Sequence, residues 1–241
     1  TAAMACYQRA ITLNPNFAAV YYHLGQVLRK LERFTEALNC YQRAVALDPN
    51  LAEAYNNLSI TLMELGRSAE AVASFKKGLA INPALPMAPS NLLLSLNYST
   101  DYDPATIFLE HQQFNEQQAK PLQPVVLPAI ASSRVQQDRR LKIGYVSQDF
   151  RKHSGAYFIE PILACHDPQQ VEVYCYFNNF MPPDEVTQRL QLYAHHWLNC
   201  FELSDDELAA QIRQDEIDIL IDLMGHTGHN RLLVFARKPA P

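Results

Sequence analysis

The chain has 241 residues, 48% apolar and 19% charged, enough for one large or two modest domains with a real core and too apolar for wholesale disorder. Seven Gly against fifteen Pro, with neither periodic, exclude collagen-like or Gly-rich material. The formal charge of -5 supplies no basic field for nucleic acid or anionic lipid, and no apolar run approaches the roughly 20 residues of a membrane span, so neither partner is expected. Five cysteines (6, 40, 165, 175 and 200), odd in number and without CxxC, read as reduced thiols of a cytoplasmic protein. The start reads as the second half of a helical pattern, and the end falls just after a third strand-like run. The chain therefore reads as part of a longer protein.

The first ninety residues repeat. Pro15, Pro49 and Pro83 lie 34 residues apart and close the phrases RAITLNP, RAVALDP and KGLAINP. One frame carries Tyr21, Leu24, Gly25, Leu28, Ala37, Tyr41, Ala44 and Pro49; the next carries Tyr55, Leu58, Ser59, Leu62, Ala71, Phe75, Gly78 and Pro83. This period and pattern resemble the tetratricopeptide repeat. Small residues at Ala37/Ala71 and Ala44/Gly78 allow paired helices to approach closely, and each proline ends a helix. Such arrays present a concave surface to a peptide or protein partner. Asn56 and Asn57, on the first helix of their repeat, are the candidate peptide-binding residues, with Tyr22 and His23 in the same region. Residues 86–98 begin a degenerate closing helix.

A Pro-bounded helix is expected from Pro104 to about Lys120, capped by Asp103. Asp101-Tyr102-Asp103 spells the DxD with which many sugar transferases hold a metal, but its place in a turn before a proline favours the capping role. The organisation expected is thus repeats over 1–98, a helical connector and linker over 99–140, and a second domain over 141–241.

In that second domain the period changes. LKIGYVS (141–147), VEVYCYF (171–177) and IDILIDLM (217–224) are short, nearly continuous apolar runs, as in parallel strands buried on both faces. Helices are expected over about 156–165, 183–195 and 204–214, the last with a capping box from Ser204 to Glu207. Strand–helix–strand alternation gives a doubly wound, Rossmann-like sheet, so the fold class is α + α/β, an α-solenoid followed by a partial Rossmann-like parallel sheet. Ligands of such sheets bind at the carboxyl ends of the strands, which selects the loops 148–155, 178–182 and 225–230. They carry Asp149, His153, His226, Thr227 and His229. The spacing of His226 and His229 also permits a metal-dependent hydrolase, but no third ligand is evident and no metal site is expected. His195 and His196 fall at the expected end of the 183–195 helix, where a cation favours the dipole. No GxGxxG follows the first strand, which disfavours a nicotinamide cofactor.

LKIGYVSQDFRKHSGAYFIEPILACHD, VEVYCYF and DEIDILIDLMGHTGHNRLLVFARKPAP, behind these repeats, resemble the protein O-GlcNAc transferase and SPINDLY family. The resemblance covers the whole chain. It implies the first lobe of a two-lobed GT-B glycosyltransferase that transfers a sugar to Ser or Thr of proteins, with inversion and without bound metal. It implies UDP-GlcNAc or GDP-fucose as donor and no further cofactor, with the repeats recruiting protein acceptors. The catalytic histidine of the family matches His153; Asp149, His226 and Thr227 are the implied substrate-binding residues. Gly225-His226-Thr227 is similar to the SPINDLY branch, whereas animal O-GlcNAc transferases have a tyrosine at the His226 position. No basic loop for a departing diphosphate is found in 141–241, so this stretch alone is expected to be inactive. The alternative is a tetratricopeptide scaffold whose second domain is not catalytic.

Overall fold

A computed structural model describes residues 2–124 and 139–241, which form two compact units, Thr1–Phe114 and Asn115–Pro241. The first is all helical: α1 (Ala2–Leu13), α2 (Ala18–Lys30), α3 (Phe34–Leu47), α4 (Ala52–Glu64), α5 (Ser68–Ile81), α6 (Ala88–Tyr98) and α7 (Pro104–Phe114). Each repeat is one antiparallel helix pair, α2 with α3 and α4 with α5, and successive pairs stack into a continuous core. The small positions of the repeat are where helices touch. Ala37, Ala44 and Ala71 are fully buried. A Cβ added at Gly25 would stand 2.7 Å from the Tyr41 ring, so the aromatic fills the space that glycine leaves. Met87 enters α6 at φ +61, with Pro89 in the first turn of the helix.

The connector divides between the units. Asp103 caps α7, its Oδ1 accepting the Thr106 N–H at 2.9 Å and its Oδ2 the Thr106 hydroxyl at 2.7 Å. The helix expected to reach Lys120 stops at Phe114 and continues as a π-helical turn (Asn115–Ala119) and a 3-10 turn (Lys120–Leu122). Most of the expected linker, residues 125–138, lies outside the described residues.

The second unit contains β1 (Leu141–Ser147), α8 (Ser154–Cys165), β2 (Val171–Phe177), α9 (Glu185–Gln191), β3 (His196–Asn199), α10 (Asp205–Gln214), β4 (Ile219–Asp222) and α11 (Leu232–Ala236). All four strands are parallel, in the order β3-β2-β1-β4. The chain moves outward from β1 through β2 to β3, then crosses back to lay β4 on the other side of β1. Right-handed crossovers put helices made in opposite directions on opposite faces. Accordingly α8 and α9 pack on one face against Tyr145, Val173, Cys175 and Phe177, while α10 and α11 pack on the other against Val146, Tyr174 and Tyr176. Ser204 and Glu207 form the capping box of α10.

Three details differ from the sequence expectation. The third apolar run narrows to four strand residues, Ile219–Asp222. The 183–195 helix is only Glu185–Gln191, because Asp184 caps it and a turn follows at Leu192. His195 and His196 do not serve a helix dipole. His195 Nδ1 accepts the Val173 N–H at 3.1 Å, and His196 opens an edge strand, its Nε2 2.7 Å from Glu172 and its ring stacked on Tyr174.

Candidate active site

Because the winding direction reverses between β1 and β4, the loops leaving their carboxyl ends diverge and open a crevice. Val146 pairs with Asp222, so the loops 148–153 and 223–230 start side by side. A cleft of about 380 Å³ lies there, lined by Ser147, Asp149, His153, Ser154, Gly155, Phe158, Ile159, Ile162, Leu223 and Thr227. One wall is polar and the other apolar, with Phe158 and Ile162 of α8 largely exposed along it.

His153 is the N-cap of α8, with extended backbone. Its Nδ1 accepts the Gly155 N–H at 3.2 Å and lies 3.5 Å from Asp149 Oδ2. A ring nitrogen that accepts carries no proton, so in this geometry the neutral imidazole is protonated on Nε2. Were Nδ1 instead to donate to the neighbouring carboxylate, Nε2 would become the basic atom. The Asp149–His153 spacing therefore decides which role the ring plays. Asp149 is itself fixed: its N–H donates to Ser147 Oγ at 2.9 Å, and its Oδ1 stands 3.5 Å from the Arg151 guanidinium.

The opposite loop is organised by Asp222, whose two oxygens accept the N–H groups of Met224 (3.1 Å) and Gly225 (2.7 Å). Burial pushes the Asp222 carboxyl above its usual range, against the lowering effect of the Gly225 and Met224 amides. Gly225, at φ +53, makes the turn that a side chain would strain. Thr227 returns to the cleft, its N–H and Oγ1 both donating to the Met224 carbonyl at 3.2 and 2.8 Å.

Asp149, His153 and Thr227 are thus brought together. His226 sits half-buried between Gly225 and Thr227 and does not line the cleft. His229, at φ +54, points elsewhere, with its ring against Phe201 and its carbonyl receiving the Asn178 amide. Among the described residues, no group of three or more His, Cys, Asp or Glu is placed to hold a metal ion, and no helix is long and apolar enough to cross a membrane.

On the repeats, Asn56 and Asn57 separate, since adjacent helical residues diverge by roughly 100°. Asn57 Nδ2 donates to the Tyr22 hydroxyl at 3.3 Å, and Gln26 donates to the same oxygen at 2.9 Å. Asn56 Oδ1 is instead buried without a hydrogen-bond partner.

Sequence reasoning missed one residue that builds this region. Asp184 Oδ2 accepts the Lys152 N–H at 2.7 Å while Oδ1 caps α9, so one carboxylate ties the β2 loop to the His153 loop. Only the helix-start chemistry of an Asp before Glu185 and Val186 hinted at it.

The chain is thus a tandem helical-repeat array followed by a doubly wound lobe with a cleft at its switch point. A profile of glycosyl transferase family 41 matches residues 125–241, and tetratricopeptide profiles match 1–31, 25–66 and 52–85. The "Probable UDP-N-acetylglucosamine--peptide N-acetylglucosaminyltransferase SEC" of Arabidopsis thaliana is 41% identical over 103 residues, 43% of this chain and 10% of that protein. The SPINDLY protein of Oryza sativa subsp. japonica, named as the same probable activity, is 33% identical over 157 residues, 62% of this chain and 16% of that protein. A mutant O-GlcNAc transferase of Thermobaculum terrenum superposes with a TM-score of 0.85 at 35% identity, over 99% of this chain and 45% of that one. The chain spans less than half the length of that structure and about a sixth or less of these curated relatives. With tetratricopeptide repeats followed by a family 41 segment, the chain is similar in sequence and fold to O-GlcNAc transferase and SPINDLY proteins.

Proposed function

We propose that the chain forms the repeat array and acceptor-side lobe of a GT-B protein O-glycosyltransferase. It transfers a sugar from a nucleotide donor, UDP-GlcNAc or GDP-fucose, to Ser or Thr hydroxyls of proteins that the repeats recruit. The observation that carries this reading is the cleft at the β1/β4 switch point, inside the family 41 segment, lined by Asp149, His153 and Thr227. The acceptor oxygen attacks the anomeric carbon, the bond from sugar to phosphate breaks, and the nucleotide leaves as its diphosphate. The hydroxyl proton must go somewhere, and His153 is the imidazole that lines the cleft, a side chain able to take or give a proton there. With Nδ1 donating to Asp149, Nε2 takes that proton; with Nδ1 accepting from Gly155, Nε2–H instead donates a positioning hydrogen bond. His226 acts from beside the cleft, through the loop it shares with Thr227.

The repeats offer Asn57, held by Tyr22, together with Asn56 for the backbone of an extended acceptor. No metal and no cofactor besides the nucleotide sugar is invoked. A cytoplasmic setting accords with five unpaired thiols. The test is to incubate the natural protein that carries this chain with labelled UDP-GlcNAc and GDP-fucose and a protein acceptor. Label should enter Ser or Thr from one of the two; incorporation from neither would overturn the reading.

A further inference from the structure

Between the two cleft loops lies a sulfur atom. Met224 is 4% exposed, and its Sδ accepts the Gln148 N–H at 3.3 Å and the Ser147 hydroxyl at 3.5 Å. Ser147, 2% exposed, uses the same oxygen to accept the Asp149 N–H at 2.9 Å. The relay therefore runs from the amide of Asp149 through a hydroxyl to the thioether. On its other side the Met224 carbonyl accepts both donors of Thr227, and its N–H is held by Asp222. A thioether is a weak acceptor, and a hydrocarbon of the same size would fill the space as well. The buried hydroxyl and the Gln148 amide, however, would lose their acceptor.

We propose that Met224 is a positioning residue that registers the Asp149–His153 loop against the Gly225–Thr227 loop through its sulfur, beyond its role in packing. The proposal rests on the cleft being the transfer site, but its readouts need no turnover, so the two readings fail separately. The test is Met224→Leu, which keeps the volume and removes the acceptor, against Met224→Gln, whose amide oxygen replaces it. In Met224→Leu the Gln148 and Asp149 amides should exchange with solvent roughly three- to tenfold faster. The Val146 and Phe177 strand amides should not change, and the His153 ring resonances should move in the NMR spectrum. Met224→Gln should restore both readouts.

Unchanged exchange at Gln148 in a folded Met224→Leu variant overturns the proposal. So does faster exchange along β1 and β2 as well, which marks a packing role. If Met224→Gln fails to fold, Ser147→Ala is the second measurement. It alone should speed Asp149, and adding Met224→Leu should leave Asp149 no faster; a further acceleration there contradicts the relay.

Discussion

Asp184 is the residue whose loss the geometry makes most informative. Its Oδ1 accepts from Val186 N (3.0 Å), Thr187 N (2.9 Å) and Thr187 Oγ1 (3.1 Å), and its Oδ2 accepts from Lys152 N at 2.7 Å. Asp184→Ala removes an N-cap worth about 1 kcal/mol. It also leaves the fully buried Thr187 hydroxyl and the Lys152 amide without an acceptor, together about 1–2 kcal/mol. The second unit should therefore lose about 2–3 kcal/mol. Asp184→Asn retains Oδ1 and an equally good cap, and should lose about 1 kcal/mol through the Lys152 contact. The assay is urea unfolding followed by Trp197, the single tryptophan, which packs 5.4 Å from Phe150 and 5.6 Å from Phe177 and so reports this unit. The pH dependence follows with a definite sign. Burial raises the Asp184 carboxyl, but the amides of Lys152, Thr187 and Val186 and the Thr187 hydroxyl outweigh it and hold the group below its usual range. Its contribution is present above the unfolded value of about 4 and is lost as pH falls through the depressed one, so wild type and Asp184→Ala should converge in acid. A loss under about 0.5 kcal/mol, or Asp184→Asn as damaging as Asp184→Ala, refutes the reasoning.

The sign reverses at Asp222, which burial raises: stability of the second unit should fall as pH rises through the window above the ordinary carboxylate value, and Asp222→Asn should flatten that slope in Trp197-monitored urea titrations. Gly25→Ala sets a methyl 2.7 Å from the Tyr41 ring and should destabilise the repeats by about 1–3 kcal/mol in thermal unfolding followed by circular dichroism; an unchanged midpoint means that the ring yields freely. Of the five thiols, the exposed Cys6 and Cys165 should react first with an aromatic disulfide reagent. Cys175 and Cys200, pushed up to about 12 and about 11 by burial, should react only on unfolding, and early labelling of either contradicts the described core.

Periodic features were the legible ones. The 34-residue spacing of the prolines located every repeat, because each repeat buries the same positions against its neighbours. The apolar runs of β1 and β2 were equally plain, since strands covered on both faces tolerate few polar residues. β3 escaped notice because an edge strand of four residues, His196–Asn199, needs little apolar character, and its histidine read as a helix end. Asp149, His153 and Thr227 could be placed at the cleft by the switch-point rule alone. What held them there was not visible. The Asp184–Lys152 and Met224–Gln148 bonds join residues 32 and 76 positions apart, and no local pattern records such a pairing. Asn56 and Asn57 were adjacent letters, but the helix turned them onto different neighbours.

The central claim is that chemistry occurs in the cleft that His153 lines with Asp149 and Thr227. The most direct measurement is sugar transfer by the natural protein and its His153→Ala variant, with the Trp197 unfolding curve as control. Transfer abolished while the unfolding curve is unchanged is the predicted result. A folded His153→Ala protein that transfers sugar at the wild-type rate contradicts the account.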